Sequence, residues 1–441
     1  MPSNPQQSPH PSAQPLSTAR RGLALFSLVL AGETIFMPVF YLGRYFRATT
    51  REVLGIEEVQ FGEMYAMYGI VAMASYLIGG PIADRISPRK LIAGSLLATA
   101  AGSVYLSTLP DFSSLRILYG FWGASTIVAF WAPMIRATRE LGGDQTQGRA
   151  FGVLDGGRGL AGALAAMIAV RGVVLWFGAG ALEDAELQVD SISSLALFFA
   201  GCCLLAASAV WWLVPEFSAA TASTVSLAQR QTTTFSRVTS VARSPAIWLQ
   251  AVIVIAAYCA YKSIDYYGDY CQDAYQLNDE QAARTMAWLT FLRVGAAFGA
   301  GWLADRWLGA ASMIMVCFAT LVLGFAALVV MPAQASLFFV GISVVAVSFA
   351  AFFGLRGVYF ALFEQCQLPP HLTGTAVGLV SFIGFTPDVF FNVTMSNIVQ
   401  SARESGDVMS GYQQAFALLA IISLVGLVAA WLLQRRIACP N

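Results

Sequence analysis

Gly80-Pro-Ile-Ala-Asp84-Arg85-Ile-Ser-Pro-Arg89-Lys90 recurs, 221 residues on, as Gly301-Trp-Leu-Ala-Asp305-Arg306-Trp-Leu-Gly309. Each copy closes an apolar stretch with a glycine, an acid and a base. A second echo, Gly148-Arg-Ala-Phe-Gly152 against Gly374-Thr-Ala-Val-Gly378, stands at an offset of 226. Two echoes at nearly one offset indicate a duplication, so the chain reads as two related halves. In membrane transporters such repeats flank a solute site near the bilayer midplane.

Composition puts those halves in a bilayer. Of 441 residues, 57% are apolar or aromatic and 11% are charged. Soluble domains run to about 45–50% apolar with Gly counted, and about 25% charged. So few charges do not cover a soluble surface. The 25 basic and 25 acidic residues balance, which gives no sign of a nucleic-acid partner. Most of the seven cysteines, such as Cys202, Cys203, Cys259 and Cys317, fall in apolar runs with no CxxC spacing, and read as core. The two histidines are His10 in a polar tail and His371 at a loop. They leave almost nothing for a zinc or histidine-based catalytic site, and no nucleophile motif or phosphate-cradling glycine loop stands at a catalytic spacing. Neither an enzyme nor a metal or cofactor is expected.

Apolar stretches of the roughly 20 residues that cross a hydrocarbon core fall near 22–46, 60–83, 90–109, 114–138, 148–171, 193–214, 246–271, 284–304, 310–331, 335–363, 372–397 and 411–434. The charge-free run Trp307–Leu355 is too long for one span, and Met331-Pro332-Ala333-Gln334 splits it. The expected fold is an all-α membrane protein of twelve transmembrane helices in two six-helix pseudo-repeats. Residues 1–19 read as a disordered tail, 20–214 as the first half, 215–244 as a Ser/Thr/Ala-rich inter-half loop, 245–436 as the second half and 437–441 as a short tail. Twelve spans put both termini on one side. That side holds Arg20, Arg21, Arg85, Arg89, Lys90, Arg136, Arg139, Arg149, Arg230, Arg237, Arg243, Arg306, Arg435 and Arg436. The other holds about half as many bases, so both termini are expected in the cytoplasm. The 171–192 loop, with Glu183, Asp184, Glu186 and Asp190, is then outside.

Ionisable groups inside spans are costly unless paired or facing water, which makes them functional candidates. Lys262, in Tyr258-Cys-Ala-Tyr261-Lys262-Ser-Ile-Asp265-Tyr266, shares a helix face with Asp265 and Tyr258. The other candidates are Glu33 and Arg44 in span one, Asp155 and Arg158 in span five, Arg293 in span eight, Arg356 and Glu364 in span ten, and Asp388 in span eleven. Arg44, Arg158 and Lys262 are expected to bind the substrate, with Tyr41, Tyr261 and Trp131 lining the site. Glu33, Asp155, Asp265, Glu364 and Asp388 are the candidates for proton coupling. The competing reading is a tie between helices. Arg293, Arg356, Glu364 and Asp388 fit that reading equally well, and Asp155 and Arg158, three apart, can neutralise each other.

A GxxxDR loop followed by basic residues, after spans two and eight, resembles the signature of the major facilitator superfamily, over about residues 20–436. The first copy has Ser87-Pro88 where the commonest form has Gly-Arg. The resemblance implies alternating access, with Gly80, Asp84, Arg85, Arg89, Gly301, Asp305 and Arg306 latching the cytoplasmic side. It also implies a monomer embedded in lipid that acts on a small molecule.

Local strings are similar to the organophosphate:phosphate antiporter branch. Tyr41-Leu42-Gly-Arg44 resembles its YLxR, whose arginine binds phosphate, and Lys262 falls where the branch has its second phosphate-binding arginine. Arg158 falls near its span-five histidine, and Trp131-Ala-Pro133, Asp84-Arg85-Ile-Ser87-Pro88-Arg89 and Leu372-Thr-Gly374-Thr-Ala-Val-Gly378 resemble three further motifs of the branch. Lysine at 262 departs from the branch by losing the bidentate fork. The extra acids Glu33, Asp155, Asp265 and Asp388 oppose a strongly anionic substrate. The chain is therefore expected to be a distant relative of the branch, and the likeness of Asp155-Gly-Gly-Arg158 and Arg356-Gly-Val-Tyr-Phe-Ala-Leu362 to a group of bacterial carriers implies a bacterial inner membrane. Its expected function is secondary transport of a small polar, anionic organic solute. The alternatives are a proton-coupled exporter or symporter of a neutral or cationic solute, and a transporter-like ligand sensor.

Overall fold

The computed structural model describes residues 17–178, 180–216, 239–359, 362, 376 and 379–438. At 77, 80, 81, 83–85, 143–149, 151, 152, 305, 437 and 438 it describes the backbone only. The regular elements are all helical. Those of the first half are α1 (Thr18–Thr34), α2 (Met37–Tyr45), α3 (Arg47–Leu54), α4 (Glu58–Arg85), α5 (Pro88–Leu106), α6 (Phe112–Ser125), α7 (Trp131–Phe177) and α8 (Ala185–Leu213). Those of the second are α9 (Pro245–Lys262), α10 (Tyr267–Tyr275), α11 (Asp279–Thr290), α12 (Leu292–Leu303), α13 (Ala310–Val330), α14 (Phe338–Val358), α15 (Pro387–Glu404) and α16 (Val408–Ala438). Among the described residues eight helical segments are long and apolar enough to cross a membrane alone, and the α1–α2 pair makes a ninth. α4, α5 and α6 with the start of α7 complete the twelve.

Spans one and seven are broken rather than continuous. α1 and α2 meet at 56°. Pro38, in the first turn of α2, has no N–H to give the turn before it and its ring clashes there. In span seven a 3₁₀ turn, Ser263–Asp265, separates α9 from α10. The Ser263 hydroxyl donates to the Ala260 carbonyl at 2.6 Å, competing with the helical ladder. This break places Lys262 on the last turn of α9 and Asp265 in the turn itself.

α7 is long enough to hold the end of span four and all of span five. Met134 and Arg158 both come within 3.1 Å of where a side chain on Gly32 would begin. A straight helix would hold them about 36 Å apart. The chain therefore reverses between them, and span five is Val153–Phe177. The loop that follows is shorter than the 171–192 expected. Asp184 caps α8, accepting from the Glu186 and Leu187 amides at 3.0 and 3.3 Å. Glu186 and Asp190 thus belong to the first turns of span six, where the helix dipole favours acids.

The duplication is visible in the backbone at the offset read from the loops. Gly55 closes α3 with φ 60°, and Gln276 closes α10 with φ 58°. Glu57 and Gln60 form a capping box that starts α4, and Asn278 and Gln281 form one that starts α11. Each pair of counterparts is 221 residues apart.

The halves meet along two seams. α4 packs on α15, and α7 packs on α11 and α12. In span numbers these are two on eleven and five on eight, so each seam is the image of the other under the duplication. Trp176 and Trp212, 84% and 82% exposed at the ends of spans five and six, fit the aromatic belt of a bilayer-embedded protein. The described cysteines are free and packed among the helices. After span two, Arg89 and Lys90 pair with Glu216 beyond span six at 2.7 and 2.8 Å. The hydrogen bond from Lys90 holds the exposed Glu216 carboxyl below its ordinary range.

Candidate functional site

Between the halves lies a cavity of about 760 Å³, open mouth included. Arg44, Arg158, Tyr41, Tyr261 and Trp131, all expected as substrate ligands, line it. Of the expected coupling acids, Glu33 and Asp388 line it. Lys262 does not, and is 2% exposed. Asp265 is buried behind Arg44. Asp155 lines an adjoining cavity of about 690 Å³ that shares Arg293 and Arg356 with the first. Glu364 lies outside the described residues, as do the side chains of Asp84, Arg85 and Asp305 and the surroundings of Gly80. Gly301 faces open space, and Arg306 is exposed.

Three clusters of charge make the wall. The first centres on Glu33. Arg293 Nη1 is 3.4 Å from both its oxygens, and Arg158 Nε is 3.7 Å from Oε2. The Tyr41 hydroxyl donates to Oε1 at 3.0 Å. Arg158 Nε also donates to the Gly32 carbonyl at 2.9 Å, which fixes its plane. A Cβ on Gly162 would stand 2.6 Å from Glu33 Oε1, so any larger residue there displaces this carboxylate. Tyr41→Phe removes one donor from this carboxylate, and such bonds contribute about 1.5–3 kcal/mol. The expected outcome is a lowered midpoint of thermal unfolding in detergent, with the Arg158 and Arg293 pairs intact.

The second cluster joins the halves. Arg44 Nε donates to Asp265 Oδ1 at 2.8 Å. The two are 221 residues apart, so each is the other's counterpart in the duplication. A residue meets its own counterpart only where the axis relating the halves passes. Lys262 Nζ lies 3.7 Å from Asp265 Oδ2 and 3.4 Å from Asp388 Oδ1. The Tyr258 hydroxyl is 3.0 Å from both Asp388 oxygens.

The third cluster is Tyr261 between two arginines. Arg44 Nη2 is 3.4 Å from its hydroxyl, and the Arg356 guanidinium lies 4.1 Å from its ring centre. Among the described residues no carboxylate forms an ion pair with Arg356. Four arginines and two acids line the cavity, an excess of two positive charges. The buried Lys262–Asp265 pair cancels behind the wall, and Asp155 next door leaves an excess of one.

A further network, absent from the sequence reading, seals one end. Arg47, 3% exposed, pairs with Glu58 of its own half and with Asp269 of the other at 3.5 Å. Its guanidinium lies between the rings of Phe61 and Tyr266, one from each half, at 4.4 and 4.5 Å. Ser396 donates to Glu58 at 3.2 Å, and the Thr49 hydroxyl donates to Asp279. α3 and α10 follow spans one and seven, so this seal lies on the membrane face opposite the GxxxDR loops. Charges at span ends look like ordinary anchors in a sequence, and only their burial sets these apart.

A charged cavity at the join of two duplicated six-helix halves, sealed at one end by bonds between them, defines a membrane transporter. The chain belongs to the Major Facilitator Superfamily, whose family model matches residues 22–390, and is thus a secondary transporter rather than an enzyme. Inner membrane protein YihN of Escherichia coli (strain K12) is 25% identical over 422 residues, covering 94% of this chain and 96% of its own. Inner membrane protein YqcE of the same organism is 22% identical over 375 residues, covering 84% and 85%. Among solved structures, a bacterial homolog of the human lysosomal transporter Spinster, inward-facing and unoccupied, matches with a TM-score of 0.70 at 14% identity, over 97% of this chain and 100% of that one. The nucleoside transporter NupG matches with a TM-score of 0.66 at 13% identity, over 95% and 100%. Both show the fold.

Proposed function

We propose that the protein carries a small organic anion across an inner membrane, by rocking of the halves 20–214 and 245–436 about the central cavity. One observation carries this reading. Arg356 faces the cavity with no described carboxylate to pair with, and shares the Tyr261 ring with Arg44. An oxyanion bridging the two guanidinium forks meets the geometry such groups prefer. The excess positive charge of the wall supports it, as does the likeness of Tyr41-Leu42-Gly-Arg44 to the phosphate-binding string of the organophosphate:phosphate branch. The geometry favours Arg356 over Lys262 as the third cationic ligand, since Lys262 is buried between acids. The Lys and Arg count favours cytoplasmic termini. In that orientation the Arg47 seal is external, and the Asp155 cavity leads inward.

The test is a thermal-shift panel on purified protein, spanning carboxylates, sulfonates, phosphate esters, neutral sugars and lipophilic cations. A ligand at a hundred times its Kd stabilises the folded state by about 2.7 kcal/mol. Stabilisation by one anionic class, lost in Arg356→Ala, is the expected result. Stabilisation only by cations or neutral solutes replaces this reading with proton-coupled transport built on the acids. Specific binding without flux in proteoliposomes replaces it with a ligand sensor.

A further inference from the structure

Four charges alternate in a line from the cavity wall into the seam between the halves and back to the wall: Asp388, Lys262, Asp265 and Arg44. Charge-assisted N–H···O bonds settle near 2.7–2.9 Å. Arg44 reaches that distance to Asp265 Oδ1, at 2.8 Å. Lys262 reaches it to neither partner, standing 3.4 Å from Asp388 and 3.7 Å from Asp265. Asp265 Oδ2 is buried and accepts no hydrogen bond among the described residues. An ammonium thus stands between two carboxylates, one with an open acceptor, and is held by Arg44 only through Asp265.

We infer that an anion binding at Arg44 hands Lys262 from Asp388 to Asp265, so that Asp388 takes up a proton and anion and proton travel together. This rests on the anion reading above. Arg44 lines the cavity, and a ligand oxyanion competes there with Asp265 for the guanidinium. Asp265, fully enclosed, then draws Lys262 onto Oδ2. Asp388 is left with the Tyr258 hydroxyl, which has one hydrogen to give. Asp388 lines the cavity, so water on the open side delivers a proton to it.

The described groups facing Asp388 are Lys262, Tyr258, Cys259 and Asp265 from span seven, and Tyr68 and Tyr76 from span two. Across the cavity stand Arg44, Arg158, Arg293 and Arg356, and among the described residues Lys262 is the cation within ion-pair distance of Asp388. Glu33 is unsuited to the role, because Arg158 and Arg293 both stay on it. Charge balances for a monoanion. One negative charge enters with one proton, and the carboxylate of Asp388 becomes a neutral acid. On release Arg44 returns to Asp265, Lys262 to Asp388, and the proton leaves on the same side as the anion.

The experiment measures proton uptake in weakly buffered detergent solution on adding glucuronate, methanesulfonate or dimethyl phosphate, with binding followed by thermal shift. The expected result is about one proton taken up per chain filled, with anion affinity rising as pH falls, by reciprocity of the two bindings. In Asp388→Asn, anion binding takes up no proton and its pH dependence is flat. Binding without uptake, or unchanged uptake in Asp388→Asn, overturns the relay and leaves the anion reading standing. A second arm needs no ligand. Arg44→Gln frees Asp265, so infrared spectra at pH 7 should show a protonated carboxyl band absent from the wild type and from Arg44→Gln/Asp388→Asn. A folded Arg44→Gln protein without that band overturns the relay. If none of the three anions binds, the anion reading falls, and the band alone decides whether the charges exchange as described.

Discussion

Arg356→Ala is expected to reduce anion transport in proteoliposomes about a hundredfold or more. Truncating one partner of a buried, hydrogen-bonded charge pair costs about 2–5 kcal/mol, and 2.8 kcal/mol is about a hundredfold. The partner lost here is the ligand's own oxyanion, because no described carboxylate pairs with Arg356. The protein therefore gains no stranded buried acid and should keep its ligand-free thermal stability. Arg293→Ala differs, since it takes one of two cations from Glu33 and should lower stability as well. Arg356→Lys keeps the charge and loses the fork, so intermediate flux is expected. Normal flux in Arg356→Ala would remove the observation on which the anion reading stands.

Arg47→Ala is expected to open the seal. Among the described residues it leaves Asp269 with no ion-pair partner and Glu58 with Arg51 alone, at 2.9 Å. Breaking a buried pair by removing one partner costs about 3–5 kcal/mol. That cost falls on the sealed state. A state in which the halves have parted at this end has already separated Arg47 from Asp269. A shift of about 3 kcal/mol changes the ratio of the two states by more than a hundredfold. The measurement is modification of an Asn392→Cys reporter, buried beside the seal in the wild type, by a membrane-impermeant maleimide. Labelling at least tenfold faster in the Arg47→Ala background is expected, by the same population shift. Adding Asp269→Asn should restore stability by removing the stranded charge, without restoring protection. Lower thermal stability with unchanged labelling would mean that Arg47 holds the fold and does not gate.

The span count, the bilayer and the superfamily were legible because they depend on local runs and on a chain offset. Met331-Pro332-Ala333-Gln334 divides spans nine and ten in the sequence as α13 and α14 are divided in space. The breaks in spans one and seven were missed, because a stretch of a span's length averages over the few polar residues and the proline beside them, Glu33, Thr34 and Pro38 in one and Lys262, Ser263 and Asp265 in the other. One long-range contact was latent in the numbering. Arg44 and Asp265 stand at the loop offset of 221, so a pair on the axis between the halves was there to be read.

The ligands of the cavity were not legible in this way. Lys262 and Arg356 give a similar sequence signal, a cation inside a span. They differ in their neighbours: Lys262 stands between Asp265 of its own span and Asp388 of span eleven, whereas Arg356 meets the Tyr261 ring of span seven. Arg47, Glu58 and Asp269 look like ordinary anchors at span ends until the second half closes over them. Hydropathy and repeats are properties of one stretch of chain, and the sequence determines them alone. Whether a charge is paired, free or sealed is a sum over neighbours from both halves, so the rotation and packing of the helices decide it.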